Sequence, residues 1–384
     1  MFDIYVPRTE SSKFTSWYYG TDRKLLGFVL GLIFIGMLCT VSAGSVQALR
    51  KGWEWYYFLQ KMFPFYVMGI GALFVASMLN KKWVIGIATA NVVVCLLLLV
   101  WTVINPVASH GSERWAVIGG FSVMPSDILK PGLVVMTGYF LAKMHKKYGE
   151  NMFLAPNAWK PSWLSWYTYL VPFGIVLIIL FLQPDVGTTM LYLATVGIMF
   201  FIAGLPRKIW LPLLGAGGLL GFFAFLFHSH VHQRVLDFFG PLDPRSQVGF
   251  SVNAIRQGGL LGMGDEAFAK EYLPDAHTDF IFAAVAEDWG AIIACGLLVF
   301  LLIVLRRLVV TAMSARDTFV FYTVGGAAAL FGTQACINLA TTLRLMPPKG
   351  MTLPFISSGG SSFLGYCLLF GMVLAIVRED KWKK

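Results

Sequence analysis

The chain has 384 residues, 57% hydrophobic and only 13% charged. A soluble domain carries about 25% charged residues, so most of this surface cannot face water, and a soluble enzyme with one anchor is excluded. The net charge of +10 would elsewhere raise nucleic acid as a partner. In a membrane protein it follows instead from basic residues flanking the helices on the inner side, and no nucleic acid is expected.

In chain order, residues 1–24 are polar and read as a cytoplasmic N-terminal segment without a cleavable signal. Apolar runs then recur at about 25–46, 58–79, 83–103, 126–144, 166–183, 188–205, 209–230, 280–305, 318–343 and 355–377. At roughly 20 residues per crossing, these predict an all-α polytopic membrane protein with ten transmembrane helices. Residues 25–377 form the membrane domain, with a large extracytoplasmic loop at 231–278 between helices 7 and 8, and residues 378–384 a cytoplasmic tail. With both termini cytoplasmic, nineteen of the thirty Lys and Arg fall on the inner side, as the positive-inside rule requires. Cys39, Cys95, Cys295, Cys336 and Cys367 all lie in apolar runs and read as buried hydrophobes.

Ionisable groups within spans need a partner or a purpose. Asp127 and Lys130 are three residues apart on one helical face and can neutralise each other. Alternatively Lys130 faces a polar cavity, with Pro131 loosening the helix there. Gln183-Pro184-Asp185-Val186-Gly187-Thr188 reads either as a tight turn or as a packed turn facing a substrate. Asp279 precedes an apolar run that carries Glu287. It is either a helix N-cap or a carboxylate at the water–lipid boundary, where partial desolvation would make it a better base. Arg344 and Lys349 lead into a Ser/Gly-rich helix start containing Ser357 and Ser361, a setting for an anion or for close helix packing. His228, His230 and His232 read as interfacial rather than metal-binding, and the glycines of 258–264 lack the Lys-Ser/Thr of a phosphate loop.

Together these clusters resemble the SEDS family (shape, elongation, division and sporulation) from about Leu25 to the C-terminus. Arg114-Trp115 is similar to its R-W pair, and Pro125 to Lys130 resembles its P-S-E-x-x-K, with Asp127 for Glu. Gln183 to Thr188 resembles its Q-P-D-x-G-T, and Leu273 to Phe280 its L-P-x-A-H-T-D-F. Lys349 to Ser362 resembles the K-G-(L/M)-T-L-P-F-I-S-Y-G-G-S-S of the division branch, with Ser358 for Tyr.

The resemblance implies a peptidoglycan glycosyltransferase of the bacterial inner membrane that polymerises lipid II at the division septum. Asp279 would be the catalytic carboxylate, and Lys130, Lys349, Arg344 and Arg114 the cations for a polyprenyl diphosphate leaving group. The substrate-binding set implied by the motifs is Lys130, Asp127, Arg114, Trp115, Gln183, Asp185, Thr188, Lys349, Ser357, Ser361, Glu287 and Gln247. Implied partners are lipid II, the nascent glycan strand, a class B penicillin-binding protein and other divisome proteins. A divalent cation could share the diphosphate charge, although no ligand cluster in the sequence establishes one. The alternatives are a lipid II flippase, an elongation-type paralogue and a scaffold. A flippase needs polar residues through both leaflets, whereas these motifs crowd the outer half.

Overall fold

A computed structural model describes residues 13–105, 114–118, 120–149, 152–153, 163–227, 229–264, 267, 272–273 and 275–382. Arg8, Lys160, Lys383 and Lys384, counted above on the inner side, and His228 lie outside the described residues. A short α1 (Lys13–Gly20) leads into α2 (Arg23–Arg50), α3 (Tyr57–Ser77) and α4 (Lys81–Ile104). A hairpin of β1 (Ala116–Ile118) and β2 (Phe121–Val123) pairs Val117 with Ser122. Then follow α5 (Pro125–Tyr148), α6 (Trp163–Leu182), α7 (Val186–Ile202), α8 (Arg207–Phe227), α9 (Ser229–Phe239) and α10 (Gln247–Gly258). The chain ends with α11 (Ile281–Met313), α12 (Thr318–Thr342) and α13 (Gly360–Trp382).

Each predicted apolar run coincides with one of these helices, and among the described residues seven are long and apolar enough to cross a membrane: α2, α3, α4, α8, α11, α12 and α13. Differences lie at the edges. The last helix begins at Gly360 rather than 355, because Phe355 adopts a left-handed conformation and the Ser357 hydroxyl accepts from the Leu353 N–H, closing a turn there. It also continues to Trp382, past the expected tail boundary. The segment 231–278 is structured, carrying most of α9 and all of α10. Cys39, Cys95 and Cys367 are buried as expected, whereas Cys295 and Cys336 are exposed on the outside of the bundle.

The helices alternate direction, so their ends gather at two poles. At one pole the start of α2, the end of α3, the start of α4 and the ends of α11 and α13 are tied by charge. Asp22 caps Leu25 and pairs with Arg307 at 2.7 Å, and Asp317 pairs with Lys81 at 2.6 Å. The Asp380 carboxylate accepts from the Arg316 and Asp317 N–H groups, where α12 begins. At the other pole lie the candidate residues.

In two helices an interruption is met by hydrogen bonds or contacts from outside the helix. In α5, Pro131 has no N–H to offer the Asp127 carbonyl; Gly365 stands against that oxygen, where any Cβ would collide with it. One bond further along, Asn91 of α4 inserts: its Oδ1 accepts from the Gly132 N–H at 3.1 Å and its Nδ2 donates to the Ile128 carbonyl at 3.0 Å. In α11 the break falls at Gly290 (φ 82°, ψ 171°). The turn after α10 fills it: the Ala291 N–H donates to the Gly259 carbonyl at 2.9 Å, and the Met263 N–H to the Glu287 carbonyl at 2.8 Å. Non-helical backbone at membrane depth is stable only when satisfied in this way. The glycines of 258–262 are therefore a splint; at Gly258, Gly262 and Gly290 a Cβ would strike the facing backbone.

Two expectations follow. Replacing Asn91 with Leu should cost about 1–2 kcal/mol, for two hydrogen bonds lost and a carbonyl left bare, read as a lower melting temperature in detergent. Gly290→Ala combines an unfavourable φ with a collision against the Leu260 carbonyl and should cost about 1–3 kcal/mol. Hydrogen exchange should show that loss concentrated in α10 and the 259–263 turn.

Candidate active site

Asp279 ends a turn wound on one carbonyl. Asp275, in the left-handed region at φ 56°, a conformation Asp tolerates better than most, accepts through its backbone oxygen from the Thr278, Asp279 and Phe280 N–H groups. Pro274 of this motif lies outside the described residues. The helix that follows is capped by Phe280 without a side-chain bond, so Asp279 is not its cap. Asn338 of α12 fixes the turn, its Nδ2 donating to the Asp279 carbonyl at 2.8 Å and also to the Met351 carbonyl. The Asp279 carboxyl is half-buried beside Gly350, where a Cβ would stand 3.1 Å from its Oδ2. Burial first, then the charges of Asp275 and Asp127, push its pKa up to about 7, against the opposing pull of Arg234.

Gly350 joins this turn to the Gln183–Thr188 turn, because the neighbouring Lys349 faces Gly187: a Cβ there would lie 3.4 Å from the Lys349 carbonyl. Asp185 caps α7 through the Thr188 N–H, and Gln183 donates to Thr102 at 2.7 Å. Arg114 clasps the turn, donating to the Gln183 and Pro184 carbonyls and pairing with Asp185 at 3.3 Å. Trp115 follows, half-buried before β1. Arg234 of α9 completes the group, donating to the Pro348 carbonyl at 3.4 Å. Burial lowers the pKa of Lys349, and Arg234 and Arg114 lower it further. Three cations thus gather beside a carboxyl whose pKa burial pushes up to about 7, an arrangement chemically able to take a proton and hold an anion together.

Beneath lies a buried polar network. Lys130, only 1% exposed, pairs with Asp127 at 2.6 Å and donates to the Ser362 Oγ at 3.0 Å, its ammonium 5.1 Å over the Tyr366 ring. Gln334 donates to the Thr352 carbonyl, and Tyr366 donates to Gln334 Oε1 at 2.9 Å.

Several expected site residues have other work. The Ser357 and Ser361 hydroxyls accept from the Leu353 and Met124 N–H groups, and the hydroxyl nearest Lys130 is that of Ser362. Arg344 donates to the Gly240 carbonyl at 2.7 Å, fastening the end of α9. Glu287 is fully buried where α10 crosses α11, two turns beyond Asp279, and Gln247 is the exposed first residue of α10. Among the described residues no three His, Cys, Asp or Glu side chains converge as metal ligands.

Sequence reasoning missed Arg234, Asn338, Gln334 and Asn91. Arg234 lies in the long outer segment, where Lys and Arg carry little orientation signal and nothing local marks one of them out. The remaining three carried a usable signal: Gln334 and Asn338 are amides at i, i+4 within an apolar span, and Asn91 is the only amide of α4.

The FTSW_RODA_SPOVE family model, described as "Cell cycle protein", matches residues 23–382. A probable peptidoglycan glycosyltransferase FtsW from Caulobacter vibrioides is 35% identical over 97% of this chain and 93% of its own length. The protein of that name from Thiomicrospira cyclica is 33% identical, over 94% and 93%. Among solved structures, a chain from work on the structural coordination of polymerization and crosslinking by a peptidoglycan synthase complex superposes with TM-score 0.73 at 25% identity, covering 95% of this chain and 99% of that one. The Thermus thermophilus rod shape determining protein RodA gives TM-score 0.67 at 24% identity, covering 95% and 98%, a likeness of fold. With a family model spanning nearly the whole sequence and relatives above 30% identity across it, the chain belongs to the FtsW, RodA and SpoVE family of cell cycle proteins.

Proposed function

We propose that this chain is a peptidoglycan glycosyltransferase of the inner membrane that polymerises lipid II during septal wall synthesis. It crosses the membrane ten times, by α2 to α8 and α11 to α13, with both termini cytoplasmic and the Asp279 pole outside. Residues 25–377 are the membrane domain and 231–278 its large outer segment. The observation that carries the reading is the placing of Asp279: a half-buried carboxyl against Gly350, which follows Lys349, within the field of Arg234, and beside a cation group that Arg114 completes.

In this reading the acceptor sugar's 4-hydroxyl oxygen attacks the anomeric carbon at the end of the growing strand. As that C–O bond forms, the bond to the diphosphate breaks, the electron pair leaves with the polyprenyl diphosphate, and the hydroxyl proton passes to Asp279. Attack from the face opposite the leaving group inverts the centre. The diphosphate is already a good leaving group, so its charge needs cations more than a proton, and Lys349, Arg234 and Arg114 supply them. Lys130 and Asp127 hold the floor of the site. An apolar cleft of about 450 Å³ between α7, α11 and α12, lined by Ile198, Leu305, Cys336 and Met346 among others, suits a hydrocarbon chain rather than the reaction itself. A class B penicillin-binding protein and other divisome proteins are the expected partners; one relative in fold belongs to a peptidoglycan synthase complex.

The test supplies lipid II to the purified chain and its transpeptidase partner. Polymer from the wild type and none from Asp279→Asn supports the reading. Lipid II crossing vesicle membranes with no polymer formed would replace it with the flippase.

A further inference from the structure

The end of α2, the connection after it and the start of α3 carry cations that the mechanism leaves unused. Arg50, Lys51 and Lys61 are all exposed at the Asp279 pole, and Glu54 is the one acid among residues 50–61. Short outer connections ordinarily carry few Lys or Arg. The group is tied to the active turn through rings. The Lys51 ammonium lies 5.0 Å over Trp53, whose ring stands 6.4 Å from Phe58. Phe58 packs on His277 with centroids 4.0 Å apart, two residues before Asp279. Lys61 follows Phe58 by three residues, on the same helical face. Burial first, then Lys61 and Lys51, lower the His277 pKa to about 4, so these ammonium groups act on His277 while Arg234, Arg114 and Lys349 act on one another.

Joining two lipid-linked sugars requires two diphosphates to be held at once. One is the leaving group, at the reacting carbon. The other stays on the acceptor, one disaccharide away from the hydroxyl that attacks. We infer that Lys51 and Lys61, with Arg50 and the ring of Trp53, bind the acceptor's polyprenyl diphosphate, while the cations around Lys349 bind the leaving one. This rests on the polymerase reading above. Anchoring to anionic phospholipid would account for exposed Lys and Trp at a membrane surface, but not for their packing through Phe58 onto the residue two before the base.

The experiment uses the full chain with its transpeptidase partner in liposomes, fed a preformed lipid-linked glycan as donor and lipid II as acceptor, each varied in turn. The double variant Lys51→Gln/Lys61→Gln is expected to raise the KM for lipid II about tenfold, for the loss of two charge-assisted contacts. The donor KM and maximal rate should stay within about twofold, and Lys51→Arg/Lys61→Arg should restore the acceptor KM. Should the double variant fail to fold, the two single variants, each with a smaller shift in the same parameter, carry the same reading. An unmoved acceptor KM, or an equal shift for donor and acceptor, overturns the site. A defect seen in phosphatidylglycerol vesicles and absent in phosphatidylcholine assigns the lysines to phospholipid and overturns it too. A wild type that forms no polymer would sink the polymerase reading instead, so the two failures are told apart.

Discussion

Asp279→Asn is expected to slow polymerisation by about 10²–10⁴-fold, the usual contribution of a general base, while leaving the chain folded. Asparagine has nearly the same shape, and no helix cap is lost, since α11 starts at Phe280 without a side-chain bond. The pH dependence carries a second signature. With the Asp279 pKa at about 7, raised by burial, Asp275 and Asp127, the wild-type kcat/KM should climb about tenfold per pH unit below 7 and level off above it. Stability should run the other way. The folded state binds this proton more tightly than the unfolded one, so the associated stability is complete below the unfolded value of 3.8 and is lost as pH rises through about 7. Asp279→Asn should therefore melt above the wild type at pH 8, with the advantage disappearing near pH 4. Thermal melts at both pH values, beside polymer assays across the range, check each part. An active Asp279→Asn, or a rate flat from pH 5 to 8, would remove Asp279 from the chemistry.

Lys130→Met is expected to cost stability rather than catalysis alone. The ammonium is enclosed by Asp127, Ser362 and the Tyr366 ring, so removing it takes the ion-pair partner from the Asp127 carboxylate. Breaking a buried pair costs about 3–5 kcal/mol, and the partial exposure of Asp127, 19%, puts this case near the lower figure. The measurement is the melting temperature and yield of monodisperse protein in detergent. Adding Asp127→Asn removes the orphaned charge and should recover most of the loss. If Lys130→Met instead melts like the wild type and fails only in turnover, Lys130 binds substrate, as the sequence reading had it.

Much of this was legible before any coordinates. Long apolar runs announce helices because lipid leaves no other use for them, and three-residue spacing was enough to pair Asp127 with Lys130. The motif at 273–280 pointed to Asp279, although spacing alone could not separate a base from a cap; the missing side-chain bond at Phe280 removes the cap reading. What stayed hidden depends on partners far along the chain. A hydroxyl at a helix start looks the same in sequence whether it meets substrate, closes a turn as Ser357 does, or accepts from a distant N–H as Ser361 does from Met124. Arg344 and Arg234 are both outer bases, yet one fastens α9 and the other reaches the Lys349 group. Gly290 lies in an apolar run where a glycine ordinarily means close packing, and only the facing 258–263 turn reveals a break.

The two broken helices also bear on how the protein is made. Membrane chains enter the bilayer from the N-terminus onward, and bare backbone groups in lipid are costly at every stage. Asn91 precedes the Pro131 break by forty residues, and the Gly259–Met263 segment precedes the Gly290 break by about thirty. In both cases the completing segment has been synthesised before the break arrives. α11 therefore need not wait in the bilayer for a later part of the chain, and in α5 only the Asp127 carbonyl waits, for Gly365 of α13. A circular permutation that moved α4 behind α5, or α10 behind α11, would preserve every contact of the finished bundle and yet expose each break during insertion.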